Sequence, residues 1–163
     1  MQSTRNKNLA TQPDLLHHAL MASRLRLQSL TQHAIADSEV TEAGFSEISL
    51  NGTPRHCLQW LAPVLRELSQ SDTPGWLTLV DPPLPVSQKW LRASGLDAQR
   101  ILIIRSKQGM NSEELCQEIL ELGYSHTVVS WLTLSSAARQ RLTRSAYIGH
   151  SDSLNVRMDT LAS

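Results

Sequence analysis

Three short apolar runs set the limits of what this chain can become. Trp76-Leu-Thr-Leu-Val80, Ile101-Leu-Ile-Ile104 and His126-Thr-Val-Val-Ser-Trp-Leu132 are each too brief for a buried helix. Runs of that length suit strands covered on both faces, as in a parallel sheet, where helices pack on either side. The stretches between them have the matching helical period.

From Arg55 to Ser69, the residues Cys57, Leu58, Leu61, Ala62, Val64, Leu65 and Leu68 form one broad apolar band, with Pro63 as a kink. Ser87 caps a short helix that runs through Ala93, and Gly95 supplies a left-handed stop. Asn111 with Glu114 forms a box-like start to a helix ended by Gly123. Ser136 to Tyr147 is predicted as a further helix. Phe45 to Leu50 is an opening strand closed by Asn51-Gly52, and Leu154 to Met158 alternates, which predicts a final edge strand. The expected fold is therefore α/β: a mainly parallel sheet of about five strands flanked by helices.

The first forty-odd residues are richer in Gln, Ser, Thr, Asn and His. Their apolar residues between Leu15 and Leu30 share no consistent helical face. Residues 1–44 are read as a flexible N-terminal arm and residues 45–163 as one domain, a size that fits 163 residues in all. Lys plus Arg and Asp plus Glu number 15 each, four of each falling within residues 1–44. No basic surplus points to nucleic acid or an anionic membrane. No apolar leader or membrane-length run is present, and the two cysteines, Cys57 and Cys116, sit within helical patterns as small core residues. Both features predict a cytoplasmic protein.

Enzymatic signals are sparse. Neither G-x-x-x-x-G-K-[ST] nor G-x-G-x-x-G occurs, so the backbone lacks the glycines needed for close approach to phosphates. The turn after Val80, Asp81-Pro82-Pro83-Leu84-Pro85, offers few N–H groups. No G-x-S-x-G elbow exists, and the six histidines lack metal-ligand spacing. No enzyme, cofactor or metal site is expected. Asp81 with His126 is the one acid–base pair worth locating. Four tryptophans remain: Trp76 and Trp131 are expected in the core, while Trp60 falls outside its helix's apolar band. Trp90 competes with Leu91 for the inner face of one short helix. Arg141, Arg144 and Tyr147 form a solvated row on the last helix.

The segments Pro74-Gly-Trp-Leu-Thr-Leu-Val-Asp-Pro82, Ser87-Gln-Lys-Trp90-Leu-Arg-Ala-Ser-Gly95-Leu96, Arg100-Ile-Leu-Ile-Ile and Ser125-His-Thr-Val-Val-Ser-Trp131-Leu together resemble the SulA family of bacterial cell-division inhibitors. The likeness runs from about Phe45 to Met158, and Ser-x-x-Trp-x-x-x-Ser-Gly-Leu is its most specific part. It implies a RecA-like core lacking a P-loop, and a protein made after DNA damage in the SOS response. Such a protein would bind the tubulin-like GTPase FtsZ one to one and block its polymerisation. FtsZ GTPase activity would fall with it, because that site is completed between subunits. The resemblance also implies a homodimer and a protease substrate. The partner-binding positions it implies are Trp90 and Lys89, Arg100, and Leu79 or Val80. Many relatives have a charged or polar residue where this chain has Gly75. A degenerate RecA-like module in a DNA-repair complex, using Arg139, Arg141 and Arg144, is the alternative.

Overall fold

The computed structural model describes residues 40–42 and 44–160. The stretch from Leu15 to Leu30 lies outside them. The elements run β1 (Val40–Glu42), β2 (Phe45–Gly52), α1 (Pro54–Ser69), β3 (Trp76–Val80), α2 (Gln88–Ala93), a 3-10 turn (Ala98–Arg100), β4 (Ile101–Ile104), α3 (Ser112–Leu122), β5 (Ser125–Ser130), α4 (Ser136–Gly149) and β6 (Asp152–Thr160). One sheet holds them in the order β1-β2-β6-β5-β3-β4. Five strands are parallel, and β1, which falls within the stretch assigned to the N-terminal arm, pairs antiparallel with β2 at the edge.

The two-residue period of the strands sorts their side chains between two cores. On one side, Ile48, Leu50, Leu77, Leu79, Val129, Leu154 and Val156 pack beneath the apolar band of α1 and beneath Leu91 of α2. On the other, Phe45, Val80 and Val128 meet Cys116 and Leu120 of α3 and Ala138, Leu142 and Ala146 of α4. Local chemistry starts each helix. Thr53, Ser87, Asn111 and Ser135 cap α1 to α4, each side chain accepting from the N–H three residues on. Gly123 closes α3 in the left-handed conformation, and His150 does the same for α4.

Two expectations are corrected. The alternating segment Leu154–Met158 belongs to β6, which lies between β2 and β5 and not at an edge. Its alternation of apolar and polar residues is not an alternation of core and solvent, because Ser153 and Asn155 are buried as well. Asn155 donates to Glu47 Oε2 (2.7 Å) and to the Leu132 carbonyl (2.8 Å), and accepts from Ser130 Oγ and from the Leu132 N–H (both 2.8 Å). Arg139 of α4 completes this network, donating from Nη2 to Glu47 Oε1 at 2.6 Å. Trp76, placed in the core by its strand position, is 39% exposed. It is the first residue of β3, at a shift of register against β5.

Candidate functional site

Adjacent strands β3 and β5 send their connections in opposite directions, β3 toward β4 at the edge and β5 toward β6. Their carboxyl ends therefore form a topological switch point, where α/β sheets commonly place ligands. This switch point is filled by the protein's own groups. Asp81 follows β3 with φ 49°, a left-handed conformation uncommon for a residue with a Cβ. Its carboxylate accepts from the Ser106 N–H (2.8 Å) and from Ser112 Oγ (2.5 Å). Burial acts to raise the Asp81 carboxyl, but the Ser112 and Ser106 hydrogen bonds and the nearby Arg105 charge outweigh it and hold the group below the usual carboxylate range. Asp81 thus serves as a brace between loops.

His126 is at the opposite end of the sheet. Thr127 pairs with Leu77, so about five residues of strand, ~16 Å, separate His126 from Asp81, and the acid–base pair is not assembled. Burial, with the Arg100 charge beside it, pushes the imidazole down to about 4. Both thiols are buried. Burial first and the Asp81 charge second push Cys116 up to about 12, and burial raises Cys57 as well, so neither is a ready nucleophile. Among the described residues no cluster of three His, Cys, Asp or Glu side chains is placed to hold a metal ion. None of their helices is long and apolar enough to cross a membrane.

What the structure builds instead is a braced surface around α2. Ser87 Oγ accepts from the Trp90 N–H (3.2 Å) at its start. At its end the Leu96 N–H returns to the Leu91 carbonyl (2.9 Å), with Gly95 at φ 81° between them. Three arginines then fix the flanking chain by its carbonyls. Arg66 of α1 donates to Ser94 (2.7 Å), Arg100 to Ser71 (3.0 Å), and Arg105 to both Pro82 (2.8 Å) and Val86 (2.9 Å). A six-residue helix is too short to persist alone, and these clamps together with fully buried Leu91 hold it.

The expected partner residues divide on this surface. Lys89 is exposed, Trp90 is half-buried with its ring against the core, and Arg100 is half-buried beside His126. Leu79 and Val80 offer no surface. Both are fully buried, pointing to opposite cores from an interior strand, so a substitution there acts through folding. Gly75 has φ 114°, and a Cβ there would lie 3.0 Å from backbone atoms of Tyr124 and His126, so this chain cannot present a side chain at that position without backbone movement. Arg66 and Arg105 were not legible as site residues, since their partners are main-chain carbonyls with no sequence signature. The three prolines around Leu84 were the available signal for a fixed turn.

A family model described as cell division inhibitor SulA matches residues 43–152, more than half of the chain. The chain belongs to the SulA family. The cell division inhibitor SulA of Pseudomonas aeruginosa is 51% identical over 117 residues, which cover 71% of this chain and 73% of that protein. SulA of Serratia marcescens is 28% identical over 106 residues, spanning 64% of this chain and 62% of its own length. The crystal structure of SulA from Pseudomonas aeruginosa superposes with a TM-score of 0.68, covering 72% of this chain and 99% of that one. Of the three arginines assigned to the DNA-repair alternative, Arg139 is engaged with buried Glu47 and Arg141 with Glu113 at 2.8 Å, while Arg144 is exposed.

Proposed function

We propose that this SulA-family protein is a stoichiometric inhibitor of cell division that binds FtsZ one to one in the cytoplasm as part of the SOS response to DNA damage. Occupying the FtsZ surface that would receive the next subunit removes that molecule from polymerisation by mass action, and GTP hydrolysis falls because the subunit junction never forms. The observation that supports this reading is the braced face around α2. It presents Lys89 and half-buried Trp90 on a rigid frame, as a binding surface requires, and the turn that leads into it starts at an Asp81 carboxylate already held by Ser106 and Ser112. The exposed side chains Leu122, Tyr124, Tyr147 and Ile148, at the end of the sheet where β5 and β6 begin, provide a separate surface on which two copies would meet as a homodimer.

FtsZ sedimented with GTP while the purified protein is titrated in tests the proposal. Polymer is expected to vanish near one inhibitor per FtsZ, and Lys89→Glu, an exposed change that leaves the core intact, is expected to weaken the effect. Full polymerisation in excess wild-type protein refutes it.

A further inference from the structure

Between β3 and α2 the chain runs Asp81-Pro82-Pro83-Leu84-Pro85-Val86-Ser87. Proline fixes φ at three of these seven positions and limits the residues before them. Both ends are tied down. The Asp81 N–H donates to the Ile104 carbonyl (2.8 Å), the Asp81 carboxylate is held by Ser106 and Ser112, and the Arg105 guanidinium reaches Pro82 and Val86 at once. Val86 is fully buried, and its N–H donates to the Pro83 carbonyl at 2.9 Å. At the crest stands Leu84, 87% exposed, more than any other large apolar side chain among the described residues.

A lone exposed leucine is ordinary on a protein surface. Leu84 differs in how it is held. Its backbone is fixed by prolines and by bonds from the neighbouring loop, so a partner that engages it orders very little chain on binding. The turn leads directly into α2, so Leu84 and Lys89 lie on one continuous segment, and Met110 is exposed on the loop that grips Asp81. The formal charges facing solvent along this segment and that loop are Lys89, Arg92 and Lys107, while Asp81 is turned inward. An apolar knob with these cations on its own segment and the adjoining loop fits an apolar pocket with an acidic rim.

We infer that Leu84 is an anchor of the partner interface, inserted into such a pocket on the same division protein that the α2 face meets, with Arg105 as the residue that positions it. The inference rests on the inhibitor function proposed above. Calorimetric titration of FtsZ into wild type, Leu84→Asp and Gln59→Glu tests it, Gln59 being an exposed residue of α1 where the substitution adds the same negative charge. Leu84→Asp is expected to weaken binding about tenfold or more, with Gln59→Glu staying within about twofold of wild type. Wild-type affinity in Leu84→Asp overturns the anchor and leaves the inhibitor function standing, as does an equal loss in both variants. If wild type shows no binding, both fail together.

Discussion

His126 has a folded-state pKa near 4 against an ordinary 6.5, because burial and the Arg100 charge disfavour the imidazolium. The unfolded chain therefore binds a proton that the native state refuses between those two values, and stability falls as the pH drops from about 6.5 toward 4. The full effect is about 3 kcal/mol. Urea unfolding at pH 7.5 and pH 5 is expected to show about 2 kcal/mol of this loss in wild type and a clearly smaller one in His126→Gln. A second residue-scale case is Arg139, whose partner Glu47 has a side chain only 3% exposed. Arg139→Met leaves that carboxylate without its counter-charge and is expected to destabilise the protein by about 3–5 kcal/mol, measured by urea unfolding at neutral pH. The sequence showed Arg139 only as one member of a basic row. Nothing local ties it to a glutamate 92 positions earlier, and the same long-range pairing made Asn155 look solvent-facing.

Among elements, α3 and α4 pack backbone against backbone at Gly149. A Cβ there would stand 1.7 Å from the Leu120 carbonyl oxygen and 2.8 Å from its carbon, so the helices must separate to admit it. Gly149→Ala is expected to cost about 3 kcal/mol or more, read as a lower urea midpoint with an unchanged slope. The helices and strands themselves were largely legible. Continuous apolar runs marked β3, β4 and β5, caps and glycines marked the helix ends, and the apolar band of α1 is the one that is buried. The strand β1 was missed, since three residues, Val-Thr-Glu, hold too little pattern to be seen.

Across the whole molecule, strand order was the illegible part. Hydrophobic alternation reports which faces are covered but not which neighbour covers them, and β6 was assigned to an edge for that reason. The candidate site was legible only in part. The family's motif points to Lys89, Trp90 and Arg100, whereas the clamping bonds made by Arg66, Arg100 and Arg105 join segments that no spacing encodes. The sheet order makes a global prediction. Native-state hydrogen exchange is expected to be slowest for amides of β5, β6 and β3, interior strands with a neighbour on each side, and faster along the edge strands β1 and β4.

The interior place of β6 also sets when this domain can exist during its own synthesis. Strand β2 emerges first among the parallel strands, yet its parallel neighbour is β6, whose residues 152–160 are made roughly a hundred positions later. Until then β2 waits with one flank unpaired, and β5 likewise lacks a partner on that side. Folding of this kind depends on non-local pairing and is slow to begin. A ribosome-bound nascent chain halted before β6 is expected to stay open to protease, with protection appearing only once the last strand can slot into the middle.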